Sequence, residues 1–109
     1  MSVQKLLMIL IDENDTFGDL SLYEAICRRL VELGAPGVTV QTGIMGFGAN
    51  QKIHRKRLFG VPDDRPVSIM VVDDEQALRG KILPVVRSMV TEGLVFLVDV
   101  EVIPPAAGE

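Results

Sequence analysis

Lys5-Leu6-Leu7-Met8-Ile9-Leu10-Ile11 carries apolar residues in both of its alternating sets, Leu6/Met8/Leu10 and Leu7/Ile9/Ile11. Successive side chains of a strand point to opposite faces, so the stretch predicts a strand that is apolar on both sides. Six apolar residues are far too few to span a bilayer, which takes about 20. Asp12-Glu13-Asn14-Asp15 follows at once, so the stretch also lacks the length and cleavage pattern of a secretion signal. The chain is expected to stay in the cytoplasm and not to be an integral membrane protein.

Outward from this strand, Ser21-Leu22-Tyr23-Glu24 matches a capping box, in which the hydroxyl and the carboxylate each satisfy an orphan amide. Leu22, Ile26, Leu30 and Leu33 follow at helical spacing, and Gly34 with Pro36 ends the run. Val38, Val40, Thr42 and Ile44 alternate with Thr39, Gln41 and Gly43, which predicts a second strand. Pro66 precedes a third strand at 67–72. Asp73 or Asp74 is placed to cap a second helix, with Ala77, Leu78, Ile82, Val85, Val86, Met89 and Val90 inward and Gly93 closing it. Pro84 presses on the carbonyl of residue 80, which is Gly80, so a bend is expected there. Residues 94–98 form a fourth strand, with 99–103 continuing it or making a short fifth.

The order is βαββαβ, an α+β ferredoxin-like arrangement with an antiparallel sheet. Right-handed crossovers put both helices on one face. The other face is apolar in strands one and four, which predicts a homo-oligomer packed sheet to sheet. With 109 residues, the chain is expected to be one domain over 1–103 with a flexible tail at 104–109. Hydrophobic residues make up 48% and aromatics 5%, so the core is aliphatic with apolar surface to spare. Cys27 is the only cysteine, which excludes an internal disulfide and favours structural burial over reactivity.

Between the second and third strands lies a loop at about 45–65, beyond the usual hairpin length of about 2–5 residues. Residues 33–62 contain no Asp or Glu and carry a formal charge of +4 in a chain of −4. The remaining 79 residues therefore sum to −8, and the basic character is local. Net acidity argues against general nucleic-acid or membrane-surface binding. Residues 67–72 also lack the aromatic platform of RNA-binding sheets.

Gly43, Gly46 and Gly48 suit either an anion nest built from backbone amides or simply a bulge and a turn. Lys52, Arg55, Lys56 and Arg57 suit phosphate oxygens, an acidic partner surface or solvent. The glycine run is neither a Walker A loop nor a complete dinucleotide fingerprint. His54 is the sole histidine, so it is at best a weak metal candidate, needing other ligand types or symmetry mates. The acidic turn Asp12, Glu13, Asp15 and Asp19 fails as a calcium loop, since Phe17 and Tyr23 stand where glycine and glutamate are required. Capping and solubility account for it, with Glu13 bordering a cleft as the alternative. One histidine and no poised nucleophile make an enzyme the disfavoured class.

Gly46-Phe47-Gly48-Ala49-Asn50-Gln51-Lys52 resembles the start of the T-loop of PII nitrogen-signalling proteins. More closely, Leu22-Tyr23-Glu24-Ala25-Ile26, the Gly43, Gly46-Phe47-Gly48 and Ile53-His54 series, Val72-Asp73 and Glu92-Gly93-Leu94-Val95 resemble the PII-like family called domain of unknown function 190. The resemblance runs from about residue 5 to 103. It implies a PII-like homotrimer with sheets facing inward and ligand clefts between subunits at the loop base. On the matching positions it implies a non-catalytic sensor that binds AMP, ADP, ATP or a similar small anion through Gly43, Gly46, Phe47, Gly48, Gln51, Lys52 and His54, with no required cofactor. Arg55, Lys56 and Arg57 would then meet a protein target, a membrane transporter being one class the resemblance implies. A CutA-like trimer, metal-associated or purely structural, is the alternative.

Two departures narrow this. Gly93 passes directly into Leu94-Val95-Phe96, without the second glycine-rich phosphate loop of PII proteins, and no Arg or Lys follows Arg87. A mono- or diphosphate is therefore expected over a tightly held triphosphate. Tyr23 is the only tyrosine, so tyrosine modification of the loop is excluded.

Overall fold

A computed structural model of the chain describes residues 3–46 and 65–106. Its elements in chain order are β1 (Gln4–Asp12), a hairpin of β2 (Thr16–Phe17) and β3 (Leu20–Ser21), α1 (Leu22–Glu32), β4 (Thr39–Thr42), β5 (Pro66–Asp74), α2 (Glu75–Ala77), a π-helical turn (Leu78–Ile82), α3 (Leu83–Met89) and β6 (Leu94–Asp99). The main sheet has the order β4-β5-β1-β6, and all its pairs are antiparallel. This is the expected ferredoxin-like topology.

The two faces of β1 separate as its alternation requires. Leu7, Ile9 and Ile11 are buried under the helices, together with Val67, Ile69 and Val71 of β5. Leu22, Ile26 and Leu30 of α1 close over them, with Leu78, Ile82, Val86 and Met89 from the second helical stretch. On the opposite face the register aligns Leu6 with Val72 and Val98, Met8 with Met70 and Phe96, and Leu10 with Ser68 and Leu94. No element of the chain covers that face among the described residues, and Leu94 and Val98 are 55% and 40% exposed.

The start of α1 corrects the capping-box reading. Ser21 is at the N-cap but makes no side-chain cap bond, and Glu24 instead accepts from Arg28 Nη2 at 2.7 Å. The first helical amide, Leu22 N, donates to Asp15 O at 2.8 Å, so the hairpin has taken over the capping role. That hairpin turns at Gly18-Asp19 with Gly18 at φ +62°. At the far end, Gly34 N donates to Val31 O and Ala35 N to Leu30 O, with Gly34 at φ +83°. This is a Schellman motif, which satisfies carbonyls that the helix leaves open.

The second helix forms from Glu75 onward, but neither Asp73 nor Asp74 caps it through a side chain. Asp74 occupies the N-cap without a cap bond, and Asp73 Oδ1 accepts from Asp74 N. Where a bend was expected from Pro84, the helix carries a π-helical turn at Leu78–Ile82, which ends two residues before Pro84. Proline has no N–H for the carbonyl of Gly80, and widening the preceding turn accommodates the missing bond. Of the residues expected inward, Leu78, Ile82, Val86 and Met89 are buried, Val85 and Val90 are half-buried against the core, and Ala77 is half-buried.

Three boundaries also differ from the sequence reading. The second strand stops at Thr42, leaving Ile44 87% exposed, and all four residues of β4 are exposed. Gly93 does not close the helix, which ends at Met89; it leads into β6. Residues 100–103 form no strand.

At the end of the sheet away from the long loop, Lys5 pairs with Asp99. The Lys5 side chain is mostly buried along its stem, while Asp99 is exposed. The hydrogen bond from Lys5, reinforced by its charge, holds the Asp99 carboxyl below its ordinary value of 3.8. A lowered folded-state pKa stabilises the fold above the ordinary value and ceases to do so as the pH falls through the lowered one. The stability difference between wild type and Asp99→Asn, measured by denaturant unfolding, should therefore be constant above pH 3.8 and shrink below it. A pH-independent difference would contradict the pairing.

Candidate functional site

The long loop leaves the sheet between β4 and β5, and its two ends are fixed by backbone bonds. Gly43 N donates to Pro66 O at 2.7 Å, extending the β4–β5 ladder by one pair. Glu13 N donates to Arg65 O at 2.8 Å, tying the entry of β5 to the end of β1. Pro66 opens β5 and faces Asp12 across the sheet.

Gly43 and Gly46 are the two glycine candidates within the described residues, and both close on the Pro66 ring. A Cβ on Gly43 would stand 2.8 Å from Pro66 Cγ, and one on Gly46 would stand 3.3 Å from the same atom. Close packing against Pro66 therefore leaves no room for a side chain at Gly43 and little at Gly46. The Gly43 amide is engaged by Pro66 O and is not offered to an anion. Phe47, Gly48, Gln51, Lys52, His54, Arg55, Lys56 and Arg57 lie outside the described residues.

This clamp has a direct test. Gly43→Ala must displace the Pro66 ring, and over-packing of this kind costs about 1–3 kcal/mol. Pro66→Ala in the same chain removes the obstacle, so the double variant should recover part of the loss, as coupled neighbours do. Denaturant unfolding of the two single variants and the double one checks it, and strict additivity would contradict the clamp.

The acidic turn beside the loop base is occupied by its own backbone. Asp12 N donates to Asp15 Oδ2 at 3.0 Å, and Asp15 N donates to Asp12 O at 3.1 Å. The turn serves as a local cap, as expected, and no group of three or more metal-ligating side chains occurs among the described residues. Cys27 is half-buried in α1, and that burial pushes its thiol upward, away from the reactive thiolate.

Sequence reasoning missed two features of this end of the sheet. Ile44, read as part of the second strand, is exposed at the loop base beside Met45, which is exposed as well. The β2–β3 hairpin exposes Phe17; its signal was the Gly18-Asp19 pair between Phe17 and Leu20, a two-residue hairpin turn.

No helix among the described residues is long and apolar enough to cross a membrane. In structure, the chain is similar to CPII from Thiomonas intermedia K12 bound to ADP, AMP and acetate, with a TM-score of 0.62 at 22% identity, over 94% of this chain and 90% of that one. CPII, a nitrogen regulatory PII-like protein, also matches in complex with ADP, AMP and bicarbonate, with a TM-score of 0.59 at 22% identity, over 91% of this chain and 87% of that one. The B. subtilis GlnK–ATP complex matches with a TM-score of 0.58 at 12% identity, over 92% and 84% of the two chains. These likenesses show a PII-like fold. In sequence, a UPF0166 protein of Aquifex aeolicus (strain VF5) is 32% identical over 100 residues, 92% of this chain and 93% of the relative. A UPF0166 protein of Methanocaldococcus jannaschii is 30% identical over 99 residues, 90% of each chain. With residues 4–102 matching DUF190, described as an uncharacterized ACR, the chain belongs to that family.

Proposed function

We propose that this chain is a non-catalytic, cytoplasmic PII-like sensor. It assembles as a homotrimer, binds an adenine nucleotide or similar small anion in clefts between subunits beside the loop base, and signals to a partner protein through the loop at 45–65. The observation that carries the reading is the joint one of fold and site. The PII-like sheet is matched over more than nine-tenths of the chain by a protein bound to ADP and AMP, and the glycine-led basic segment follows in sequence from a loop base that two backbone hydrogen bonds tie to the sheet. The uncovered apolar face of the sheet supports assembly, because a face of that character on a small domain calls for a partner.

In this reading Gly43 and Gly46 position the loop base against Pro66. Gly48, Gln51, Lys52 and His54 are the candidates for contact with phosphate or sugar, and Phe47 for contact with the base. Arg55, Lys56 and Arg57 meet the target, for which a membrane transporter is one class. The absence of a second glycine-rich loop before β6, and of any Arg or Lys after Arg87, favours a mono- or diphosphate.

Calorimetric titration with AMP, ADP, ATP and cyclic dinucleotides tests this. The expected result is binding of AMP or ADP, with ATP weaker, and loss of that binding in Lys52→Ala. A folded oligomer that gives no heat with any of them would overturn the nucleotide reading.

A further inference from the structure

A phosphate bound at the loop base needs a cation beside it, and this chain has few to offer there. No Arg or Lys follows Arg87, and no second glycine-rich loop precedes β6. The described segments 13–21, 43–46, 65 and 90–93 lie at the loop-base end of the sheet. Together they hold the carboxylates Glu13, Asp15, Asp19 and Glu92 and a single basic side chain, Arg65.

Arg65 is held by its backbone and left open by its side chain. Its carbonyl accepts from Glu13 N at 2.8 Å on the β1 side, and the next carbonyl, Pro66 O, accepts from Gly43 N at 2.7 Å on the β4 side. The proline ring also fixes the backbone torsion that follows Arg65. Carrying the Asp12–Pro66 register one step further sets Glu13 opposite Arg65. Side chains so placed share a face, with Cβ atoms about 4.5–5.5 Å apart, which is within reach of an ion pair. That pair is not made. Among the described residues, neither the Arg65 guanidinium nor the Glu13 carboxylate has an ion pair or a side-chain hydrogen bond, and Arg65 is exposed. The nearby Asp15 carboxylate already accepts from Asp12 N. The guanidinium therefore keeps its donors, whose planar fork matches the oxygens of a phosphate.

We infer that Arg65 binds a phosphate of the nucleotide and that Glu13, opposite it, disfavours the more highly charged phosphates. A backbone tied on both sides lowers the freedom lost when the arginine engages its ligand. A carboxylate beside the same phosphate repels it in proportion to its charge, so Glu13 acts against a triphosphate more than against a monophosphate. This inference rests on the nucleotide reading proposed above and names two residues that set its affinity and selectivity.

Calorimetric titration of the full-length protein with AMP, ADP and ATP, beside native mass measurement of subunit number, tests it. Arg65→Gln should weaken ADP binding about tenfold or more, as loss of a charge-assisted hydrogen bond does, and Arg65→Lys should recover part of that loss. Glu13→Gln should act in the opposite direction, tightening ADP roughly threefold at low salt and ATP by more than AMP. Subunit number should match wild type in all three variants. Arg65→Gln protein that binds ADP as wild type does overturns the phosphate contact and leaves the nucleotide reading standing. Weakening by Arg65→Gln and Glu13→Gln alike does the same, because it marks a structural pair, as does a loss of ADP binding that accompanies a loss of assembly. Equal effects of Glu13→Gln on AMP and ATP overturn the selectivity. A wild type that binds none of the three nucleotides overturns both this inference and the reading beneath it.

Discussion

Ile26→Ala is expected to lower the unfolding free energy by about 2–5 kcal/mol, the range for truncating a fully buried isoleucine to alanine. Ile26 is completely buried at the middle of α1, within the cluster that joins that helix to Leu7, Ile9, Val67, Ile69 and Val71 of the sheet. Its removal takes away the transfer free energy of the lost methylenes, and the cavity left behind adds to the cost because a sheet on one side limits collapse. Small domains are stable by only about 5–15 kcal/mol, so this one substitution consumes a large share. Val31→Ala, at a position 74% exposed on the same helix, should change stability by less than about 0.5 kcal/mol, as surface substitutions do. Chemical denaturation of the two variants checks the contrast, and equal losses would contradict the assignment of the buried face of α1.

Gly93→Ala is expected to be similarly damaging for a different reason. Gly93 sits at φ +151°, a backbone conformation rarely adopted by other residues, and a Cβ there would stand 2.5 Å from the Leu10 carbonyl oxygen. Ile11 Cγ2 and Val90 Cγ1 would each lie 3.1 Å away. The nearest atom belongs to the backbone of the central strand, so no side-chain rotation relieves the contact. Over-packing costs about 1–3 kcal/mol and a strained backbone a further 1–3 kcal/mol, giving an expected loss of at least about 2 kcal/mol. Gly80→Ala is the control, because nothing lies within 4 Å of a Cβ at that position. Alanine is the better helix former by about 1 kcal/mol, so this change should leave the fold intact or stabilise it. A Gly93→Ala protein as stable as wild type would show that the entry into β6 is not held as described.

The sheet was legible because its cause lies in alternation. Residues 6–11 are apolar in both sets, and the structure puts one set under the helices and leaves the other without cover among the described residues. The order of the four main strands followed from the two helices between them and the handedness of their crossovers. What escaped was set by local competition for backbone groups. Ser21 and Glu24 carry a capping pattern, yet the Asp15 carbonyl reaches the first amide of α1 and Glu24 turns to Arg28. Gly93 has the spacing of a helix stop, but the close approach of the Leu10 carbonyl is a tertiary fact with no sequence signal.

The candidate site was legible to a lesser degree. Glycine spacing and local charge marked the loop base, but not that Pro66 would fill the space left by Gly43 and Gly46. The sequence also gave no hint that Ile44 would lie outside the sheet. Its alternation with Val38, Val40 and Thr42 continues past the point where Pro66, the first residue of β5, brings the ladder to an end.

The central claim is that the uncovered sheet face and the loop base together make a nucleotide site shared between copies of the chain. Native mass spectrometry of freshly purified protein, with and without added ADP or AMP, reads both halves at once. The account predicts a species of three 11.9 kDa chains that gains up to three nucleotide masses. A monomer, or a trimer that takes up neither nucleotide, would contradict it.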